Sequence, residues 1–392
     1  MYCENTNKNN RLFRTEPIII INTFIVEMQD KELLYKIGIT LIKGIGNVTG
    51  KQLIAYCGGV EAVFKESKSN LEKIPNIGRQ IINAISGQTV LSLAEKEIQF
   101  IERYNIQPLY YFDKEYPDKL KQCTDGPIML YYKGNANLNA QKTIAVVGSR
   151  KATAYGKWVC EKLVEELAPH QPLIVSGLAY GIDVTAHKAA MKNMLNTIGV
   201  LGHGLKNLYP AGNRKVAAAM CSQGGLLSEF LSNAPSSKEN FPKRNRIIAG
   251  MADAVVVVES AEKGGSLITA EIANGYNREV FAIPGRISDN SSKGCNKLIF
   301  ENKAMLVQSA QDIEAAMCWE NTQIQNNPTI PISTPLTKKE EQVVGLLKDG
   351  ALNIDAICRH ASLDSSLAAS TLLQLEFSGI IKCLPGKMYQ LN

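Results

Sequence analysis

A chain of 392 residues with 45% hydrophobic and 20% charged side chains has room for two to four domains and too much apolar sequence for a disordered chain. A formal charge of +6, from 43 Lys and Arg against 37 Asp and Glu, is too mild to mark the whole surface as nucleic-acid binding, so any basic site must be local. Nine scattered cysteines, odd in number and without a C-x-x-C pair, disfavour a disulfide framework or zinc site and fit reduced thiols in a cytoplasmic protein.

The stretch "PIIIINTFIVEM" (17–28) has about nine apolar positions, short of the ~20 a membrane span needs, and shows no small-residue cleavage site. Residues 1–29 read as a disordered or loosely packed extension, or else as an added edge strand, with no membrane partner. Residues 30–105 read as a helical domain with two similar hairpins, "LIKGIGNVTGKQLI" (41–54) and "LEKIPNIGRQIINAI" (71–85). Each has a tight turn before an amphipathic helix, which resembles the helix-hairpin-helix of small SAM-like domains. There, turn amides meet a DNA phosphate. The second copy lacks the first Gly. Tandem hairpins also serve as protein-interaction modules, and both roles stay open.

Residues 106–316 read as an extended α/β domain. A Tyr- and Pro-rich bridge (106–140) is expected to lay a short strand and turn against it, with its aromatics packed inward. Apolar runs at 144–147, 173–175, 198–201, 226–227, 254–258 and 280–283 alternate with helical patterns such as 156–168, 183–194 and 268–277. Runs of this kind are strands buried on both faces, hence a doubly wound, Rossmann-like parallel sheet. A polar linker (317–335) follows. Residues 336–392 pattern as three short helices and a Pro-Gly hairpin, a winged helix. Its third helix carries no Lys or Arg, which favours a protein-contact or structural role over duplex binding.

Ligands of such sheets lie at the carboxyl ends of the strands. After the first strand, "GSRKATAYG" offers Gly148 for close approach, a Ser149 hydroxyl and the Arg150 guanidinium, a two-pronged phosphate ligand. The G-x-G-x-x-G and G-x-x-x-x-G-K-[ST] patterns are absent, so neither a dinucleotide cofactor nor P-loop chemistry is expected, and no cofactor or metal is assigned. Asp183 is placed to cap the next helix, and His187 reads as a structural histidine. A later strand end presents Gly264, Gly265 and Ser266 before a helix. In "SKENFPKRNRIIAGMAD" (237–253), Pro242 suits a first helical position, and Lys243, Arg244 and Arg246 crowd a helix start that ordinarily favours acids. Lys238 and Phe241 stand just before them. Cations crowding helix-start amides suit an anion. Arg246, nearest the apolar stripe, fits an internal pair with Glu229 or Glu259 equally well.

In order, "VVGSRKATAYG", "VSGLAYGIDVTAH", "IGVLGHGLKNLYP", "LLSEF", "FPKRNRIIAGMADAVVVVES", "GGSLITAEIA" and "VFAIPG" resemble the DNA-processing protein A (DprA/Smf) family. The likeness runs over residues 30–392. It implies a cytoplasmic homodimer, joined through the Rossmann-like domain, that catalyses no reaction. Such a protein binds and protects incoming single-stranded DNA and loads the RecA recombinase during natural transformation. The likeness implies that Ser149, Arg150, Lys238 and Phe241 line the strand pocket, helped by Lys243, Arg244 and Arg246. Tyr180 departs from relatives that carry Arg or Lys there; a tyrosine can stack a base instead. The competing class is an enzyme: "KGGSLITAEIA" partly resembles the P-G-G-x-G-T-x-x-E motif of nucleotide phosphoribohydrolases, with Glu271 as the acting carboxylate.

Overall fold

The computed structural model describes residues 31–87, 89–319, 336–348, 350–384 and 388–391. The extension 1–29, nearly all of the linker and the Pro-Gly turn lie outside the described residues. The chain divides into two compact units, Met1–Asn321 and Thr322–Asn392.

The first unit is built on a nine-stranded sheet. Its strands are β1 (Gln107–Tyr110), β2 (Met129–Gly134), β3 (Thr143–Gly148), β4 (Leu173–Ser176), β5 (Thr197–Leu201), β6 (Gly224–Ser228), β7 (Ala254–Glu259), β8 (Glu279–Ala282) and β9 (Met305–Leu306). They lie in the order β1-β2-β6-β5-β4-β3-β7-β8-β9. From β6 to β9 every pair is parallel, and β1 and β2 extend the sheet antiparallel. The bridge thus gives two strands where one short strand was expected, and its Tyr110, Tyr116, Tyr131 and Tyr132 are buried.

Strand alternation explains the continuous apolar runs. Ala145 and Val147 of β3 face one core with the Asn240–Met251 and Gly265–Gly275 helices, while Ile144 and Val146 face the other, with helices Ala154–Glu166 and Ile182–Lys192. Because both faces are covered, both residue sets must be apolar. The chain runs outward from β3 through β4 and β5 on one side and resumes at β7 on the other. The crevice over the carboxyl ends of β3 and its neighbours is therefore the switch point where such sheets bind ligands.

The helical region (31–103) is not a separate body. Its core, with Ile37, Leu53 and Ile85, closes onto Ile128, Met129 and Tyr131 of the sheet domain. Both hairpin turns form as read. Gly44 (φ 92°) precedes helix Asn47–Cys57, and in the second copy Asn76 takes the left-handed conformation (φ 65°), which Asn tolerates better than most residues. The first turn faces the sheet domain, where Asn47 Oδ1 accepts from Ile128 N at 3.0 Å.

The second unit is a small winged helix: helices Lys338–Leu347, Ile354–Ala361 and Ser365–Phe377, and strands β10 (Leu352–Asn353), β11 (Ile381–Leu384) and β12 (Met388–Leu391) in the order β10-β12-β11. Val343, Ile357, Leu372 and Leu375 fill its core.

One buried carboxylate fastens helices to sheet. Glu97 accepts from Ser232 N (2.8 Å) and Ser232 Oγ (2.7 Å) across 135 residues of sequence. Glu97→Ala leaves that buried amide unpaired and should cost about 1–3 kcal/mol in urea unfolding. A change under ~0.5 kcal/mol would show that this contact does not hold the two parts together.

Candidate nucleic-acid interface

The site forms where β3, β4 and β5 end. The register between β3 and β7 shifts at Val147/Gly148, and the chain turns out of the sheet there. A Cβ on Gly148 would lie 2.6 Å from Ile182 Cγ1, so close packing of helix Ile182–Lys192 also requires glycine here. Ser149 is bound into the turn: its N–H donates to Glu259 O (2.7 Å), its O accepts from Ile182 N (3.2 Å) and its Oγ accepts from Lys151 N (3.1 Å). The Ser149 hydroxyl hydrogen is left to donate. Arg150, next in line, is exposed, with its guanidinium 4.9 Å from the Phe241 ring centroid.

Phe241 is the second residue of helix Asn240–Met251, which begins two residues earlier than its Pro242 suggests. Proline is tolerated there because the first-turn amides have no helical acceptor. The ring is half-buried and rests on Gly202, where a Cβ would stand 3.0 Å from Phe241 Cδ1. With Arg150 over the ring, a base stacking on Phe241 displaces the guanidinium or stacks on its outer face.

Arg244 lies one turn on and is buried, its Cζ 6.0 Å from the same ring. Nη1 donates to Val200 O at 2.7 Å, and Nε has no partner. Burial lowers its pKa to about 10, opposed by attraction to Asp183 and helped by repulsion from Arg150. Among the described residues no carboxylate comes within 4 Å of it. A buried cation with an idle N–H, beside a second cation, is an arrangement that an anion relieves.

Asp183 is in the first turn of helix Ile182–Lys192, where its Oδ2 accepts from Ala179 N (3.3 Å). Burial pushes its carboxyl up, against Arg244. His187 is a buried structural residue, with Nδ1 2.6 Å from Thr197 Oγ1. The Thr197 hydroxyl donates to Ile174 O, so it accepts from His187 Nδ1–H.

The remaining site candidates do not all gather here. Lys238 and Lys243 are exposed. Lys243 lines a separate cavity of about 550 Å³ facing the first helical hairpin. Arg246 is a correction to the expected strand contact: its Nη2 binds Glu229 Oε2, its Nη1 binds Asp125 O, and its side chain is only 12% exposed. Two residues along a helix turn it away from Arg244, into the internal pair. Glu259, the other carboxylate considered, instead accepts from Thr153 N and Oγ1 (2.9 and 2.8 Å). Gly264 precedes helix Gly265–Gly275, joined to the basic helix through Asn245 Nδ2 to Gly265 O (3.4 Å). Ser266 is buried, its hydroxyl given to Ser260 Oγ (2.9 Å). Glu271 is 74% exposed beside Lys303.

The model of the DNA recombination-mediator protein A family matches residues 107–317, and that of the DprA winged helix domain matches 327–387. The chain belongs to the DprA/Smf family. It is 30% identical over 399 residues to protein Smf of Synechocystis, covering 93% of this chain and 100% of that protein. With DprA of Streptococcus pneumoniae it shares 43% over 220 residues, 56% of this chain and 76% of the relative. The solved structure of the S. pneumoniae protein aligns with a TM-score of 0.64 at 36% identity, over 72% of this chain and 97% of that one. DNA processing protein A from Helicobacter pylori, a structure described for its single-stranded DNA binding mode, aligns with a TM-score of 0.50 at 28% identity, over 55% and 97%.

Three rim residues of this DprA/Smf chain had no signal as a group in the sequence. Tyr180 and Tyr209 are each 51% exposed and line the recess between Arg150, Phe241 and Arg244, with Tyr209 6.2 Å from Phe241 ring to ring. Beneath them His203 is buried: Tyr209 N donates to its Nε2 (3.1 Å), so Nδ1 carries the hydrogen donated to Gly204 O (2.9 Å). The aromatic wall arises from the loop after β5 folding back over the strand ends.

Burial, aided by Arg244, lowers the His187 pKa to about 3. Between the ordinary imidazole value and that one, the unfolded chain binds a proton that the folded chain refuses. Stability therefore falls as pH drops through this window, with His187 contributing about 1.4 kcal/mol per unit. His187→Asn, which keeps a donor for Thr197, should flatten the slope of urea-unfolding stability between pH 4 and 6 by that amount. An unchanged slope would mean that the histidine takes up its proton while folded.

Proposed function

We propose that this chain binds single-stranded DNA along the rim over β3, β4 and β5, with Arg150, Phe241 and Arg244 at its centre. The observation that carries this reading is the Arg150 guanidinium laid over the Phe241 ring above a buried arginine with an unpaired N–H. Charge for phosphates and a planar surface for bases then occupy one place, the combination that suits single strands without base reading. The binding mode described for the H. pylori relative supports it. So does the third winged-helix helix, Ser365–Phe377, which has no cationic side chain for a major groove. Ser149 donates its hydroxyl to a phosphate, Lys238 and Lys243 extend the charge, and the amides at Gly264, Gly265 and Ser266 offer a further anion contact.

The family role suggests the sequel: the bound strand is protected and handed to RecA during natural transformation, by a cytoplasmic homodimer. Support for dimerisation through the sheet domain comes from β9, which among the described residues pairs with β8 alone and exposes Met305 and Leu306, with exposed Phe300 just upstream. No chemical step is assigned.

Single strands should bind more tightly than the same sequence as duplex, and equal affinity in a fluorescence titration sinks the reading. Arg150→Ala should weaken binding by about 1.5–3 kcal/mol while melting stays unchanged, because the side chain is exposed. Phe241→Ala should lower affinity by about 1–3 kcal/mol with the salt slope kept, whereas Lys238→Ala should reduce the slope itself by about 0.7. A Phe241→Ala protein with reduced melting and a changed slope would make that ring structural instead. For the dimer, Leu306→Glu should give a monomer by light scattering; a dimer of wild-type strength moves the interface off β9.

A further inference from the structure

Helix Ala154–Glu166 carries a second aromatic surface that the strand site does not use. Tyr155 is 58% and Trp158 55% exposed, one turn apart on the same side, with ring centroids 6.2 Å apart and planes inclined by 32°. Lys162 Nζ stands 5.4 Å from the Trp158 ring. A groove of about 190 Å³ runs beside them, walled by Ile283 and Pro284 at the end of β8. Packing among the described residues does not explain two large aromatics left half in water at neighbouring positions.

Charge and continuity indicate what does. Lys151 is exposed on the loop before the helix and Lys162 stands one turn beyond Trp158 on the same side, while the exposed Lys157 lies on a neighbouring side of the helix. The helix-start amides add positive potential, one of them, Gly156 N, being bound to Thr153 Oγ1 (3.0 Å). Arg150, at the centre of the strand site, lies five residues before Tyr155 on the loop that opens this helix. Glu166 lines the groove itself, and Glu161 lies one turn beyond Trp158. Glu166 pairs with Lys162 (3.5 Å) and accepts from Ala310 N (3.2 Å), while Glu161 and Glu165 are exposed on the carboxyl-terminal half.

We infer that Tyr155 and Trp158 form a second stacking platform for single-stranded nucleic acid, over which the strand continues from Arg150, its phosphates held by Lys151 and Lys162. This rests on the strand-binding reading above and lengthens its footprint across the rim from β4 to β8. Aromatic faces accept any base, so the platform adds affinity without sequence preference.

The chain has two tryptophans, so the full-length Trp319→Phe variant leaves Trp158 as sole reporter. Its emission should be quenched on titration with an oligothymidine of about 20 nucleotides, longer than the ~4–16 typical of one binding fold. Trp158→Ala in the wild-type background should weaken that strand about tenfold with melting unchanged, and Trp158→Phe should recover most of the loss. Unquenched emission, or wild-type affinity in Trp158→Ala, overturns the platform while the Arg150 site stands. No affinity of the unaltered protein for any single strand overturns both. Emission that shifts with protein concentration in the absence of DNA, and no further on adding it, assigns the face to a second copy and overturns the platform too.

Discussion

Arg244 is a guanidinium buried at the carboxyl ends of the central strands with a backbone carbonyl, rather than a carboxylate, as its hydrogen-bonded partner. Much of the rim follows from accommodating it. A Cβ at residue 177 would stand 1.8 Å from Nη1, so only glycine lets the guanidinium lie against the β4 turn. Asp183 is held close enough to attract it without contact, His187 is kept uncharged in its field, and Phe241 covers it from above. Arg150 then places a second positive charge over that ring. Two cations within reach of one aromatic, one of them desolvated, are costly together in the absence of an anion. The arrangement is sound as a site and poor as packing.

The same helix shows how neighbouring charges are divided. Arg246 is committed to Glu229 and a carbonyl, and so anchors the helix to the chain around Asp125. With that end fixed, and with Ile247, Ile248 and Met251 buried, the helix start is held in place over the strand ends. The helical region does comparable work at the other side of the unit. Its core closes on β2, and Glu97 ties it to the loop after β6 that leads into the basic segment. Site residues therefore stand on packed elements on every side, which favours preorganised binding.

Much of this was legible from local pattern. The six parallel strands between 143 and 282, the helices between them and the winged helix all follow from apolar periodicity, and the site's location follows from where strands end. Less legible were β9, whose two residues are too few to show a period, and β1 and β2, which look like loop because antiparallel edge strands lie among turn residues. Lys243 and Arg244 read alike in sequence, and Arg246 stood divided between strand contact and an internal pair; the fold gives one to a cavity wall, one to the buried base of the recess and one to the pair with Glu229.

The sequence by itself determined the class of the central strands and helices, the two-sided burial of the sheet and the family, because these depend on composition and spacing within about twenty residues. Tertiary structure alone decided which cations line the strand-end recess and which face a carboxylate. It also decided that Gly148 packs against Ile182, and that Tyr180, Tyr209 and His203 join residues some thirty to sixty positions away in one recess. Those outcomes turn on strand order and on which side of a helix meets the sheet. Both are set by pairings between distant segments, and no local period encodes them.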